Sequence, residues 1–300
     1  MSSIEPEFLL FAQHGWADDN RAMTHLSQQL VGDDHALIVA PNLDYIQTWI
    51  RIDPLIQTVE ATAAIYMTDY PDVPLRIVGH SMGGLIWLEL LNRHPRWWSR
   101  IHSLVLVASP VGGADLGRLL DPLKVGLGIA ADLGNNRKPI AEMIAATIPT
   151  LVIAGDIDHG SDGTVPVECT KVPNAQFVRL PQLSHPALRN HPLVAATIRE
   201  FWAGTTFEAV DYDDVVRRLH KVPGITDGHW RDFDRAQVAI RLNNGGTIRT
   251  WTNLLGINHV FVASPQGQCL YAGFVGWMHA LELQQALEEI RREHAVKGTA

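Results

Sequence analysis

The ten residues from Leu75 to Gly84 constrain the fold of this chain more than any other segment. They begin with an apolar run that predicts a buried strand, and the apolar stretch that follows them predicts a helix. Between the two stands Gly-His-Ser-Met-Gly, with Ser81 at its centre. A serine at the tip of so sharp a turn needs residues without a Cβ two positions before and two after it, and these are Gly79 and Gly83.

Ser81 is therefore predicted to be a nucleophile whose hydroxyl is lifted clear of the sheet. The following helix is predicted to begin at Met82, which places the positive end of its dipole under the serine. An oxyanion formed at Ser81 would be stabilised there, and the Met82 backbone amide is one predicted donor to it.

Composition excludes several classes of function. The chain has 300 residues, 46% of them hydrophobic, which is enough for a large core. Its formal net charge of −8 argues against nucleic acid and anionic membranes as partners, since both require a basic face. The apolar runs are far shorter than the ~20 residues of a membrane span.

The N-terminal apolar segment follows Glu5 and Glu7 rather than basic residues, so it predicts a strand and not a signal peptide. We expect a cytoplasmic protein on this basis. Cys169 and Cys269 are too few for a disulfide framework, and we expect free thiols, with a single bridge between them left open.

Short apolar strands alternate with longer helical segments, which predicts an α/β fold with a mainly parallel, doubly wound sheet. The predicted strands are Phe8 to Gln13, Ala36 to Ala40, Leu75 to Val78, Leu104 to Ala108, Leu151 to Ala154 and Gln176 to Leu180. The predicted helices between them are Asn20 to Leu30, Pro54 to Tyr70, Met82 to Arg93 and Pro192 to Ala203.

The segment Gly-His-Ser-Met-Gly-Gly at residues 79–84 resembles the α/β-hydrolase family, and within it the lipase and esterase branch. The resemblance extends over residues 1–204, about two thirds of the chain. It implies a minimal version of that fold and a nucleophile, acid and histidine that follow one another along the chain.

The resemblance identifies His185, in Leu-Ser-His-Pro after the sixth predicted strand, as the general base. His191 is its nearest rival, but it precedes a proline at a predicted helix start, where a packing role is more usual. His80 is expected to point into the fold as part of the turn.

The acid must be chosen among the aspartates of the loop after the fifth strand. A Gly-x-x-Asp pattern directly after the strand would select Asp158, whereas the lipase-like pattern Asp-Gly-x-Val-Pro selects Asp162, which we favour. Asp156 is then expected to bind loop amides. The aspartates of this loop are spaced in part like those of a calcium-binding loop. However, Gly160 occupies a ligand position and no glutamate stands at the last ligand position, so we expect no metal.

The resemblance of His14-Gly15-Trp16 to the family's His-Gly-x segment implies that the Trp16 amide is the second oxyanion donor. Residues 111–149 occupy the place of a cap or lid, and their apolar residues would suit either a mobile cover or a plain connecting helix. The apolar residues are Leu116, Leu119, Leu120, Leu123, Val125, Leu127 and Ile129.

Residues 205–300 carry no motif that we identify with a family, and they predict a small α+β accessory unit of unknown role. Its predicted strands are Val238 to Leu242, Thr247 to Thr252, Val260 to Ala263 and Cys269 to Phe274, followed by a helix from Met278 to His294. A role in forming a homo-oligomer is one interpretation of this unit.

The predicted function is that of a serine esterase without a cofactor, which acts on small-molecule acyl esters with a hydrophobic acyl chain. Thioesterase or acyltransferase activity on the same residues, or ligand binding without catalysis, are the alternatives.

Overall fold

The computed structural model describes residues 5–32, 34–113 and 129–294. Residues 114–128 contain six of the seven apolar residues named in the predicted cap, and that part of the prediction lies outside the described residues. Within the described parts of the chain, no helix has both the length and the apolar composition needed to cross a bilayer.

The first sheet is parallel throughout its described strands, with the order β2-β1-β3-β4-β5-β6. The strands are β1 (Phe8–Gln13), β2 (Ala36–Val39), β3 (Leu75–His80), β4 (Ile101–Val107), β5 (Thr150–Asp156) and β6 (Gln176–Pro181). The prediction of a doubly wound α/β fold is confirmed.

Helices cover both faces of this sheet. They are α1 (Arg21–Val31), α2 (Ile52–Asp69), α3 (Met82–Arg93), α4 (Ile129–Leu133), α5 (Lys138–Ala145), α6 (Val167–Thr170) and α7 (Pro192–Trp202). Because strand side chains alternate, Leu9 and Phe11 pack with α2 and α3, whereas Leu10 packs with α1 and α7. The sheet is therefore buried on both sides, which explains its continuous apolar strands.

The C-terminal residues form an antiparallel sheet with the order β7-β11-β10-β9-β8 and a core of its own. Its elements are α8 (Asp214–His220), β7 (Thr226–Asp227), β8 (Gln237–Arg241), β9 (Thr247–Thr252), β10 (Asn258–Ala263), β11 (Cys269–Val275) and α9 (Ala280–His294). The predicted strands and final helix are present there. The sequence reasoning missed α8 and β7, because both are too short for a clear periodic signal.

The two sheets are joined by contacts that include buried charges. The Lys138 Nζ of α5 lies 2.5 Å from the Asp227 carboxylate of β7, and both side chains are almost wholly buried. Lys138 also donates to the Tyr212 hydroxyl at 3.0 Å. Burial opposes ionisation of Asp227, but the neighbouring Lys138 ammonium and His220 outweigh it and keep its pKa below the usual value. We call Lys138, Asp227, Tyr212 and His220 the buried ionic cluster.

The chain between the sheets is not a free linker. Val210 donates its amide to the Ala175 carbonyl at 3.0 Å, and Phe177 of β6 donates to the Glu208 carbonyl at 2.8 Å. Neither Cys169 nor Cys269 is joined in a disulfide, and the Cys169 Sγ donates to the Asp227 carbonyl at 2.9 Å.

Candidate active site

Ser81 stands at the turn between β3 and α3 in a strained backbone conformation, with φ 55° and ψ −125°. A Cβ on Gly79 would lie 2.5 Å from the Gly84 Cα, and one on Gly83 would collide with the Gln13 carbonyl oxygen. A side chain at either glycine would therefore clash with the backbone around it. Strain of this kind persists only where the surrounding structure enforces it, and it accumulates at functional sites.

The structure brings His185 and Asp162 to Ser81. The His185 Nε2 lies 3.1 Å from the Ser81 Oγ, and its Nδ1 lies 2.6 Å from Asp162 Oδ2. Because a carboxylate only accepts hydrogen bonds, the Nδ1–H donates to Asp162, and Nε2 is left to accept the serine proton. The other oxygen of Asp162 accepts the amides of Thr164 and Val165 at 2.9 and 2.7 Å.

Asp158, the alternative acid, is engaged elsewhere. Its two oxygens accept from the amide and the hydroxyl of Ser161, at 2.7 and 2.9 Å. Asp156 accepts the Gly160 amide at 2.8 Å and pairs with Arg179. The loop 156–166, which we call the acid loop, thus uses two of its aspartates to hold its own shape and points the third at His185.

His80 packs against His185 and bonds to its backbone. It is 3% exposed, and its Nε2 lies 3.1 Å from the His185 carbonyl oxygen. Burial and the neighbouring His185 hold the pKa of His80 well below its usual value. The His80 ring is therefore neutral, and its Nε2–H donates to the His185 carbonyl.

The loop after β1 lies directly over the turn that carries Ser81. A Cβ on Gly15 would come within 2.8 Å of the Ser81 Cβ and 3.3 Å of the Met82 nitrogen. The buried His14 ring holds this loop, since its Nδ1 lies 3.0 Å from the Gly15 carbonyl and its Nε2 accepts the Leu43 amide. Sequence reasoning placed His14 in this loop but did not find its bracing contact, which joins residues 29 positions apart.

A cavity of about 300 Å³ opens at Ser81. Its apolar walls include Trp16, Ala17, Pro110, Leu133, Val165 and Pro186. Two charged residues that the sequence did not predict, Asp18 and Arg189, also line it. The Arg189 Nη1 donates to the Asp18 carboxylate at 2.8 Å. No local signal could have found this pair, because its members are 171 positions apart in the chain.

An apolar surface continues from this cavity. The Trp16 ring lies 4.3 Å from the Trp49 ring, centroid to centroid, and the Ala17 amide donates to Thr48. Beside Trp49, the side chains of Tyr45, Ile46 and Ile50 are exposed to solvent. We call Tyr45, Ile46, Trp49 and Ile50 the apolar rim. Among the described residues, no three His, Cys, Asp or Glu side chains come together as metal ligands would.

A family model described as "Serine aminopeptidase, S33", of the Hydrolase_4 group, matches residues 47–212. The match includes Ser81, Asp162 and His185, and it ends near the start of the C-terminal unit. A comparison with curated protein sequences found no match.

Three similar solved structures share the fold at low identity. The mature lipase BlEst2 of Bacillus licheniformis is 14% identical, and the alignment covers 66% of this chain and 93% of that one with a TM-score of 0.50. Est1E of Butyrivibrio proteoclasticus with bound ferulic acid is 15% identical, covering 67% and 90%, with a TM-score of 0.52. The propeptide form of BlEst2 is 12% identical, covering 90% and 71%, with a TM-score of 0.52.

Proposed function

The chain belongs to the serine aminopeptidase S33 family of α/β-hydrolases, and we propose that it hydrolyses carboxylic esters with Ser81 as the nucleophile. One observation carries the proposal: the unbroken line of contacts from the Ser81 Oγ through the His185 ring to the buried Asp162. This arrangement is the one that acyl transfer through a serine requires.

In the proposed reaction, the Ser81 oxygen attacks the ester carbonyl while His185 Nε2 takes its proton. The Asp162 carboxylate stabilises the imidazolium that forms, and the amides of Trp16 and Met82 donate to the negative oxygen. His185 then gives the proton to the departing alcohol, which leaves an acyl-enzyme. Water, deprotonated by the same histidine, attacks the acyl carbonyl and releases the acid and free Ser81.

The substrate that we propose carries a hydrophobic acyl group. Half of the side chains that line the cavity are apolar, and the apolar rim extends it at Trp16. An alkyl or aryl chain that extends from the cavity in that direction would contact Trp49 and its neighbours instead of water. This burial of apolar surface favours binding.

The C-terminal unit is proposed to steady the acid loop. The Trp230 Nε1 donates to the His159 carbonyl at 2.6 Å, and the His229 ring lies 3.4 Å from Asp158. Both contacts reach the loop that carries Asp162. Since a triad member displaced by even ~1 Å loses much of its effect, a packed neighbour there supports catalysis without touching the substrate.

Labelling with a fluorophosphonate and hydrolysis of p-nitrophenyl esters of rising chain length test the proposal. Ser81→Ala should abolish labelling and lower kcat by about 10⁴- to 10⁶-fold, because it removes the nucleophile. Ser99→Ala, at an exposed serine, is the matched control and should match the wild type. Unlabelled wild-type protein without esterase activity would refute the proposal, and a strong preference for thioesters would reassign the substrate.

A second pair of variants tests the acid. Asp162→Asn should lower kcat by about 10⁴-fold, since an amide cannot hold the productive His185 tautomer. Asp158→Asn should lower kcat by less than about tenfold, because Asp158 contacts Ser161 rather than the base. The opposite order of the two losses would overturn the choice of Asp162.

A further inference from the structure

Five large apolar side chains are exposed at one corner of the C-terminal unit. Leu254 is fully exposed, Met278 is 87% exposed and Trp277 is 69% exposed. Leu255 and Leu281 are more than half exposed. We call these five residues the apolar corner. None of them lines the cavity at Ser81.

The apolar corner is ordered rather than a loose loop tip. Asn253 closes the turn between β9 and β10, since its Oδ1 accepts the amides of Leu255 and Ile257 at 2.9 and 3.0 Å. The Trp277 Nε1 donates to the Leu255 carbonyl at 2.7 Å and so joins this turn to the start of α9. The exposed side chains thus lie on two segments that a hydrogen bond holds together. Little conformational entropy is therefore lost when a partner covers them.

The size of the apolar corner matches that of a protein interface. Weighted by their exposed fractions, the five side chains offer roughly 700 Å² of surface, close to the ~800 Å² per partner of a standard interface. The largest apolar patch on a typical monomer is about 300–600 Å².

The charges around the apolar corner favour one kind of partner. From Thr250 to Ile290 the sequence contains no Lys or Arg, whereas it contains Glu282, Glu288 and Glu289. Arg218 and Lys221 line a groove together with Glu282 and Glu289, so acidic side chains offset the cations nearest this sequence, and the chain as a whole carries −8, which disfavours anionic lipid and acidic proteins. A second copy of the chain needs no opposite charge, since an isologous contact places the same apolar patch on both sides.

We propose that the apolar corner is a dimer interface, in which two copies of this chain bury Leu254, Trp277, Met278 and their neighbours against each other about a two-fold axis. The cavity at Ser81 lies outside this contact, so each copy keeps its own site open. The alternative is that the same residues bind a membrane surface.

Sedimentation velocity across a concentration series tests the dimer. The wild type should sediment as a dimer, at twice the 33.2 kDa mass of the chain, at micromolar concentrations. Leu254→Glu and, separately, Met278→Glu should weaken dimerisation by at least about a hundredfold, because each places an unpaired charge in the interface. Both positions are exposed, so circular dichroism should be unchanged. Ile65→Glu, an equal change of charge at an exposed site on α2, should leave the dimer intact.

A wild type that stays monomeric at about 100 µM would refute the dimer, as would a dimer that both variants leave intact. Flotation with phosphatidylcholine vesicles, with and without phosphatidylserine, tests the alternative. We expect no binding to either, and vesicle binding that Leu254→Glu abolishes would replace the dimer by membrane docking.

Discussion

The buried pair between Lys138 and Asp227 is expected to stabilise the junction of the two sheets. The perturbation is Asp227→Asn, which keeps the shape of the side chain and removes its charge. The Lys138 ammonium then remains buried, with the Tyr212 hydroxyl at 3.0 Å and the Glu168 carbonyl and His220 Nε2 each at 3.3 Å as its contacts. None of the three is an anion, so the charge of Lys138 loses its compensation.

Removing one partner of a buried ion pair costs about 3–5 kcal/mol of unfolding free energy. Lys138 and Asp227 are only 2% and 1% exposed, so solvent screening does not reduce this figure. For a chain of this size the loss corresponds to roughly 5–15 °C in Tm.

Scanning calorimetry near neutral pH measures the loss. Asp211→Asn breaks an ion pair with Arg217 in which both side chains are mostly exposed, and it is the matched control, with no measurable change expected. The double variant Lys138→Met, Asp227→Leu should recover much of the stability that Asp227→Asn loses, because it leaves no unpaired buried charge.

The same scans over a range of pH test whether the contribution of Asp227 to stability is lost in acid. The folded-state pKa of Asp227 is lowered, so its contribution is present above the ordinary value of 3.8 and is lost as pH falls through the folded value. The difference in Tm between the wild type and Asp227→Asn should therefore disappear in acid. A Tm within about 1 °C of wild type at neutral pH would show that the pair does not stabilise the junction.

Three shorter predictions concern other residues. Trp49→Ala should lower kcat/KM roughly tenfold for long-chain p-nitrophenyl esters and leave acetate esters unchanged; an equal loss on both would contradict the proposed acyl path. The lowered pKa of buried His80 means that the unfolded chain takes up this proton first, so stability should fall as pH drops below about 6.5. NMR titration should show His80 still neutral there, and protonation near its ordinary value would refute this. Burial raises the pKa of Cys269 to about 12, so iodoacetamide should label it much more slowly in the native protein than in guanidinium, as read by mass spectrometry.

Features with a local physical cause were predictable from the sequence. The bounds of β1 and α3 were predicted correctly, because an apolar run and a tight turn between glycines are each defined by neighbouring residues. The steric need for Gly79 is also local, since a Cβ there would collide with Gly84, whereas a Cβ on Gly83 would collide with the Gln13 carbonyl oxygen of β1, which only the fold brings close.

The choice between Asp162 and Asp158 shows where sequence reasoning reached its limit. Both lie in one loop with plausible spacing, and only the folded chain shows which carboxylate lies 2.6 Å from the His185 ring and which is held by Ser161. The brief elements α8 and β7 were missed for a related reason, since their stability comes from contacts with the rest of the fold rather than from their own pattern.

The sequence by itself determined the alternation of strands and helices and the turn at Ser81, because these depend mainly on residues a few positions apart, and the order of the reactive residue types followed from the family resemblance. Only the tertiary structure decided the pairing of Asp18 with Arg189, the burial of Lys138 against Asp227 and the exposure of the apolar corner. These features join residues tens to hundreds of positions apart, and whether a side chain is paired, buried or exposed is settled by which distant segments the fold packs against it.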